Sequence, residues 1–385
     1  MSRLRATRPA VAAGRLRGES VDGVSASPEN GRMDEARAAG RRFWCALPGP
    51  ELQPGTERAL ADLLPAGIIL FDRNLASAAQ TRDLVAGVRE TVAAPISIGI
   101  DQEGGSVNRL LRLDESFGLL PPARLQATWP VDRLERAWRA VGTCLASLGI
   151  DVDFAPVVDL DASEGTNAIG PRSYGAAAGD VIARAGSVLR GLDGAGVAGC
   201  LKHFPGLGDT TVDTHLALAV SPVASDVLWD LHAHPYRELA GEAPLVMTAH
   251  AHFPSVDGPD PLPATFSRRL VHGWLRERIG YDGLVVTDDL EMGAVSTSGS
   301  PGERAIRALQ AGCDLVLFCK SLDAPRHARD AVAARIVRGD LDRVRLAESD
   351  DRLARLHDRT STSRGVGGGA EEFERACREL EARLA

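Results

Sequence analysis

The sequence predicts an α/β fold: a single (β/α)8 TIM-type barrel, with a disordered N-terminal tail and a short C-terminal helical extension. Two observations lead there. Eight short apolar runs alternate with amphipathic helical stretches along most of the 385 residues. Polar, chemically able side chains collect at the C-terminal ends of those runs, which is where such barrels carry their chemistry.

The runs are Phe43–Leu47, Gly67–Phe71, Ile96–Asp101, Val152–Leu160, Gly199–His203, Leu245–His250, Leu284–Asp288 and Asp314–Cys319. Short, continuous apolar runs suit parallel strands covered on both faces. Between them, the spacing predicts helices over Ala79–Val92, Val131–Leu148, Asp180–Leu192, Ser225–Leu239, Arg268–Ile279 and Gly302–Ala311. The length alone allows one large barrel or two medium domains. The strand–helix repeat favours the barrel. Long spans after the third, fourth and fifth strands leave room for active-site loops.

The ends read differently. Residues 1–32 are rich in Arg, Ser, Gly and Glu and show no apolar period, so a disordered tail is expected there. Met33 opens a helix, and the barrel domain is expected over residues 33–358. The stretch Thr360–Gly369 reads as a flexible linker, so residues 359–385 form a linker and a short charged helix.

Composition excludes several classes. A formal charge of −8 argues against a nucleic-acid or anionic-membrane partner. Apolar residues at 44% and charged residues at 25% are ordinary for a soluble globule. The apolar stretch Pro9–Ala13 is too short for a signal-peptide core, and no run approaches a transmembrane span. A cytoplasmic monomer is expected. The six cysteines are scattered without a C-x-x-C, which favours buried thiols over disulfides or a zinc site. No cofactor and no metal are expected.

The most informative segment is Lys202-His203-Phe204-Pro205-Gly206-Leu207-Gly208-Asp209-Thr210-Thr211-Val212-Asp213-Thr214-His215. It leaves a strand and becomes a loop ending in an Asp-x-His pair. Lys202 and Lys320 are the only lysines in a chain with 44 Lys and Arg residues. Arginine is a flat fork and lysine a compact point charge, so a site needing one small donor explains the choice. In Asp213-Thr214-His215, a carboxylate close to an imidazole favours the imidazolium and can orient the ring for proton exchange. Most such pairs are incidental surface residues; the place after a barrel strand sets this one apart.

Thr287-Asp288-Asp289-Leu290 follows the seventh strand. Asp288 is the first polar side chain at the barrel top, where a carboxylate nucleophile or a metal ligand would stand. The plainer reading is a helix N-cap, and two tandem aspartates allow both. Asp101-Gln-Glu-Gly-Gly105 places an aspartate at the third strand's end, with a glycine pair for a sharp turn and Arg109 beyond it. The loop Asn167–Gly175 supplies Arg172.

Together these motifs resemble glycoside hydrolase family 3 and, within it, the single-domain β-N-acetylhexosaminidases of the NagZ type. The resemblance covers roughly residues 40–340 and includes Ile69–Asn74, Asp101–Gly105, Phe154–Asp159, Arg172–Gly175, the Lys202 segment and Val286–Leu290. It implies a retaining glycosidase acting through a covalent glycosyl-enzyme on a β-N-acetylhexosaminide. Asp288 matches the family's nucleophile, and His215 its acid/base with Asp213 as partner. Asp101, Arg109, Arg172, Lys202 and His203 match positions that hold the sugar. The scheme departs from the usual two-carboxylate glycosidase, but one group still attacks as an anion while the other arrives protonated. Leu207, Ser106, Pro171 and Ala219 depart from the family's common residues, which bears on loop dynamics and substrate preference more than on bond breaking. Peptidoglycan fragments and chitin oligomers both fit as substrates.

Three other readings share this barrel. A metal-dependent hydrolase would draw on His203, His250, His252, Asp101 and Asp288. A glycoside phosphorylase would exploit a cationic or neutral acid/base that tolerates a phosphate anion. A non-catalytic sugar-binding protein has no need of Asp288, Asp213 and His215.

Overall fold

The computed structural model describes residues 28–161, 169–207, 209–210, 212–214, 216–361 and 370–384. Residues 1–27 of the tail, Asn167, Gly208, His215 and residues 362–369 of the linker lie outside the described residues.

Among the described residues, eight parallel strands close into a barrel in sequence order. They are β1 Phe43–Ala46, β2 Gly67–Leu70, β3 Ser97–Ile100, β4 Val152–Asp153, β5 Ala198–Phe204, β6 Leu245–Thr248, β7 Leu284–Asp289 and β8 Leu315–Phe318. Phe43 pairing with Val316 closes the ring. β4 is much shorter than the apolar run Val152–Leu160 predicts. Pro156 within that run has no N–H to give a ladder, and pairing resumes only as a single bridge from Val157 to Lys202.

Side chains alternate between the two faces of each strand. The inward series fills the barrel: Trp44 and Ala46, Val152 and Phe154, Ala198 and Cys200, Leu245 and Met247, Leu284 and Val286, Leu315 and Leu317. Trp44 is the largest of them, and its neighbours are matched to it. A Cβ at Gly67 would lie 2.1 Å from the indole, and one at Gly99 2.5 Å from it. Phe154 meets the indole edge-on, with ring centroids 5.3 Å apart.

The helices form the outer layer, and their starts are written locally. Ser77 caps Ala78–Thr91 by accepting from Gln80 N–H. Ser300 and Glu303 cap Pro301–Ala311 reciprocally, with proline in its first turn. Val131–Ser147 buries Leu134, Ala137, Trp138, Val141 and Leu145, one stripe at helical spacing. The stretch Ser225–Leu239 is not one regular helix. It divides into Ser225–Val227, a widened turn Leu228–His232, and His234–Leu239. Pro235 cannot donate to the carbonyl four residues back, which interrupts the regular ladder just there.

The C-terminal helix Ala370–Leu384 packs back on Val131–Ser147. It buries Phe373, Ala376, Cys377 and Leu380. At the opposite end from the mouth, Leu353 and Leu356 of helix Arg343–Ser361 plug the barrel floor.

Candidate active site

The inward series of three strands continues past its apolar layers to the mouth. Ser97 and Gly99 lead to Asp101, Ala198 and Cys200 to Lys202, and Leu284 and Val286 to Asp288. A period of two therefore delivers a carboxylate, an ammonium and a second carboxylate to one end of the barrel. They line a cleft of about 440 Å³ with Glu103, Arg109, Arg172, His203, Asp213, Asp289 and Cys319. That volume lies in the range of small-molecule sites.

Lys202 is buried, with Nζ 2.8 Å from Asp101 Oδ1 and 2.6 Å from Glu103 Oε1. Arg172 grips the same glutamate with two parallel bonds, Nε to Oε2 at 2.8 Å and Nη2 to Oε1 at 2.9 Å. Burial alone would raise the Glu103 pKa, but Arg172 and Lys202 overcome it and hold the carboxyl well below its usual range. Lys202 is in turn held above its ordinary value against burial, chiefly by Asp101 and Glu103. Glu103 stands on a small hairpin, Gln102–Gly104 against Val107–Asn108. The turn depends on glycine: φ is +90° at Gly104 and +60° at Gly105, and a Cβ at either would lie 2.6 Å from Pro121 or Pro122.

His203 follows on β5. Its Nδ1 lies 2.7 Å from Asp159 Oδ2, which orients the ring at the cleft wall. Asp159 is fully buried and also accepts from Leu207 N–H at 2.6 Å, so one carboxylate fixes both the imidazole and the start of the following loop. Arg109 lines the cleft while paired to Asp72 at 3.0 Å, and its guanidinium lies 5.7 Å from the Phe71 ring centroid. Phe71 lines the same wall.

Asp288 sits at the floor. Burial works to raise its pKa, but the His203 and His250 imidazoles, the Asp289 N–H and the Lys202 ammonium outweigh it and keep the carboxyl below the ordinary value. That N–H donates to Asp288 Oδ1 at 2.7 Å. Burial lowers the pKa of His250. Its Nε2 donates to the Asp289 carbonyl at 3.0 Å, and Nδ1 lies 2.8 Å from the Thr265 hydroxyl oxygen. The Thr265 hydroxyl donates to the Ala249 carbonyl at 3.0 Å and lies 2.9 Å from Thr248 Oγ1. Asp289 behaves oppositely to Asp288: burial, together with the charges of Glu291 and Asp288, pushes it up to about 7.

The loop after β5 borders the open side. Asp213 is exposed and lines the cleft, and the Thr214 carbonyl accepts from Ala294 N–H at 3.2 Å. His215 lies outside the described residues. The structure thus gathers Asp101, Arg109, Arg172, Lys202, His203, Asp213 and Asp288 around one cleft. Lys320, the other lysine, is exposed, and its Nζ donates to the Glu291 carbonyl at 2.8 Å. His252 Nδ1 accepts from Leu262 N–H at 3.2 Å. No group of His, Cys, Asp and Glu arranged to hold a metal ion occurs among the described residues.

Sequence reasoning missed the parts played by Glu103, Asp159, His250 and Thr265. For Glu103 a signal existed, since it stands two residues after Asp101. Asp159 and His250 also stood out, as the ends of the Phe154–Asp159 motif and of the sixth apolar run, but nothing local gave their partners, and Thr265 carries no local sign.

Residues 46–356 match the glycosyl hydrolase family 3 N terminal domain. The chain belongs to glycosyl hydrolase family 3. A protein of Idiomarina loihiensis named beta-hexosaminidase is 35% identical over 281 residues, covering 71% of this chain and 82% of the relative. One of Thiobacillus denitrificans with the same name is 39% identical over 321 residues, covering 80% of this chain and 84% of the relative. Among solved structures, a family 3 beta-N-acetylglucosaminidase from Paenibacillus sp. is similar with a TM-score of 0.81 and 35% identity, over 89% of this chain and 68% of that one. The family makes this barrel a glycoside hydrolase. Its paired carboxylates and cations, each with lone pairs or N–H groups to spare, suit a ligand rich in hydroxyl groups.

Proposed function

We propose that this glycoside hydrolase is a retaining β-N-acetylhexosaminidase, releasing terminal β-linked N-acetylglucosamine. The observation that carries the reading is Asp288: a carboxylate kept anionic at the floor of the cleft, with Asp213 bordering the same cleft from the loop after β5. The names of the relatives support the substrate class.

In this reading the Asp288 carboxylate attacks the anomeric carbon and forms a covalent glycosyl-enzyme. His215, supported by Asp213, gives its proton to the departing oxygen and then takes one from the water that releases the sugar. Asp101, Arg109, Arg172, Lys202 and His203 hold the sugar. Glu103 keeps Lys202 and Arg172 in place through the contacts described above. The family resemblance supports a peptidoglycan fragment as natural substrate in cytoplasmic recycling. The six free cysteines, five of them buried, fit a reducing compartment.

The test compares nitrophenyl β-N-acetylglucosaminide with the β-glucoside and follows product configuration by NMR. Preference for the N-acetyl sugar with retained configuration supports the reading. Sugar 1-phosphate formed in phosphate buffer would instead make the enzyme a phosphorylase. Asp288→Ala should lose on the order of 10⁴-fold or more in kcat, the scale of removing a nucleophile. Azide should restore part of that loss and yield the α-glycosyl azide; an active variant without azide would overturn the assignment.

A further inference from the structure

The loop after β5 is held at its start by a residue from the next helical segment. His232 is almost fully buried, and its Nε2 lies 2.6 Å from Asp209 Oδ2 on that loop. The same imidazole packs on Gly206. A Cβ at Gly206 would lie 2.9 Å from His232 Cβ and 3.5 Å from its ring, and Gly206 has φ +130°, a conformation few side chains tolerate. Position 206 is therefore closed to other residues from both directions. His232 ends the widened turn Leu228–His232, in which Ala233 N–H reaches back to the Leu228 carbonyl at 2.8 Å. Such single widened turns recur at functional positions.

We infer that His232 is a positioning residue for the catalytic loop: its contacts to Asp209 and Gly206 set how the loop presents Asp213, the partner of the acid/base, at the cleft. The inference rests on the reading that this loop carries the acid/base. Three ties divide the work. Asp159 holds the loop's first residues through Leu207 N–H, His232 holds the next bend through Asp209, and Ala294 N–H holds the far side at the Thr214 carbonyl. Of these, the His232 tie is the one made by a side chain to a loop side chain. Its removal leaves the two ends anchored and frees the bend between them. A general acid is sensitive to such slack, because misplacement by about 1 Å can cost on the order of 100-fold.

The experiment uses the full chain with five variants, His232→Ala, His232→Gln, Asp209→Asn, the double variant His232→Ala with Asp209→Asn, and His215→Ala. For each, kcat/KM is measured on aryl β-N-acetylglucosaminides from dinitrophenyl to phenyl. Hydrogen exchange is followed in peptides covering residues 205–217. Loss of the tie should cost about 10- to 100-fold on the phenyl glycoside and under about 3-fold on the dinitrophenyl one, whose leaving group needs little protonation. Exchange in the loop should quicken about 10-fold or more while the barrel strands stay unchanged. His232→Gln, which keeps a polar group at similar reach, should recover most of both effects. Asp209→Asn should mimic His232→Ala, and the double variant should lose no more than either.

A loss equal across leaving groups, or unchanged loop exchange, overturns the inference. His215→Ala separates it from the reading beneath it. If that variant shows no leaving-group dependence, the acid/base assignment falls, and the tie is decided by loop exchange alone. If His215→Ala shows the dependence and His232→Ala does not, the tie falls and the assignment stands.

Discussion

Glu103 Oε1 lies 2.6 Å from Lys202 Nζ while Arg172 bonds both oxygens of the same carboxylate, so one buried anion organises two of the three Lys and Arg cations that line the candidate sugar site. Three charges share one desolvated place, and each is tolerated because of the others.

Lys202→Arg should fail despite keeping the charge. The ammonium fits between Asp101 and Glu103 at 2.8 and 2.6 Å, and a larger planar fork cannot occupy that point without displacing Arg172. A rise in KM with a fall in kcat is expected, with stability lowered by about 1–3 kcal/mol from overpacking. Steady-state kinetics and thermal melting check both; wild-type values would show that lysine has no special place here.

Glu103→Gln should cost about 3 kcal/mol, since it leaves the buried Lys202 and the half-buried Arg172 short of an anion. It should also change the response to acid. Glu103 is held below its unfolded value, near 4.3, so its ionisation adds stability that is complete above that pH and fades as the pH falls below it. The wild type should therefore lose melting temperature more steeply than the variant below about pH 4.3. Parallel curves would remove Glu103 from the account of stability.

Asp289 predicts the opposite slope. Its carboxyl is pushed up to about 7, above the unfolded value near 3.9. The folded state then holds a proton that the unfolded state releases, and this contribution is lost as the pH rises through 7. Asp289→Asn keeps an acceptor for the N–H groups of Glu291 and Cys319, which donate to Oδ1 at 2.9 and 3.1 Å. Its gain in melting temperature over wild type should be larger at pH 8.5 than at pH 5.5. An equal gain at both would refute the shift.

Asp213→Asn tests the dyad. Without the carboxylate the imidazolium is less favoured, so the limb of the pH–rate profile governed by the acid should move to lower pH. The loss should be greater on a disaccharide than on a nitrophenyl glycoside, and milder than in His215→Ala, with about 10²- to 10⁴-fold as the full value of a general acid. An unmoved profile with equal losses would assign the pair another task.

Much of this protein is readable along the chain. Eight apolar runs specify the barrel because each strand is covered on both faces and leaves a local mark. Period-two alternation then carries Asp101, Lys202 and Asp288 to the mouth, so three site residues follow from local geometry alone. Proline marks where the regular pattern breaks, at Pro156 just after β4 and at Pro235 after the widened turn.

The tertiary structure alone decided the partnerships. Lys202 meets Asp101 across 101 residues of chain, His203 meets Asp159 across 44, and His250 reaches the Asp289 carbonyl across 39. Such pairings depend on strand register and barrel closure, which no local pattern states. The same closure sets the electrostatics. Asp288 and Asp289 are chemically identical neighbours, yet one is held below its ordinary pKa and the other pushed up to about 7. The sequence names two aspartates; only the fold, by setting one among His203, His250 and Lys202 and the other beside Glu291, keeps one an anion and makes the other a carboxyl that holds its proton nearly to neutrality.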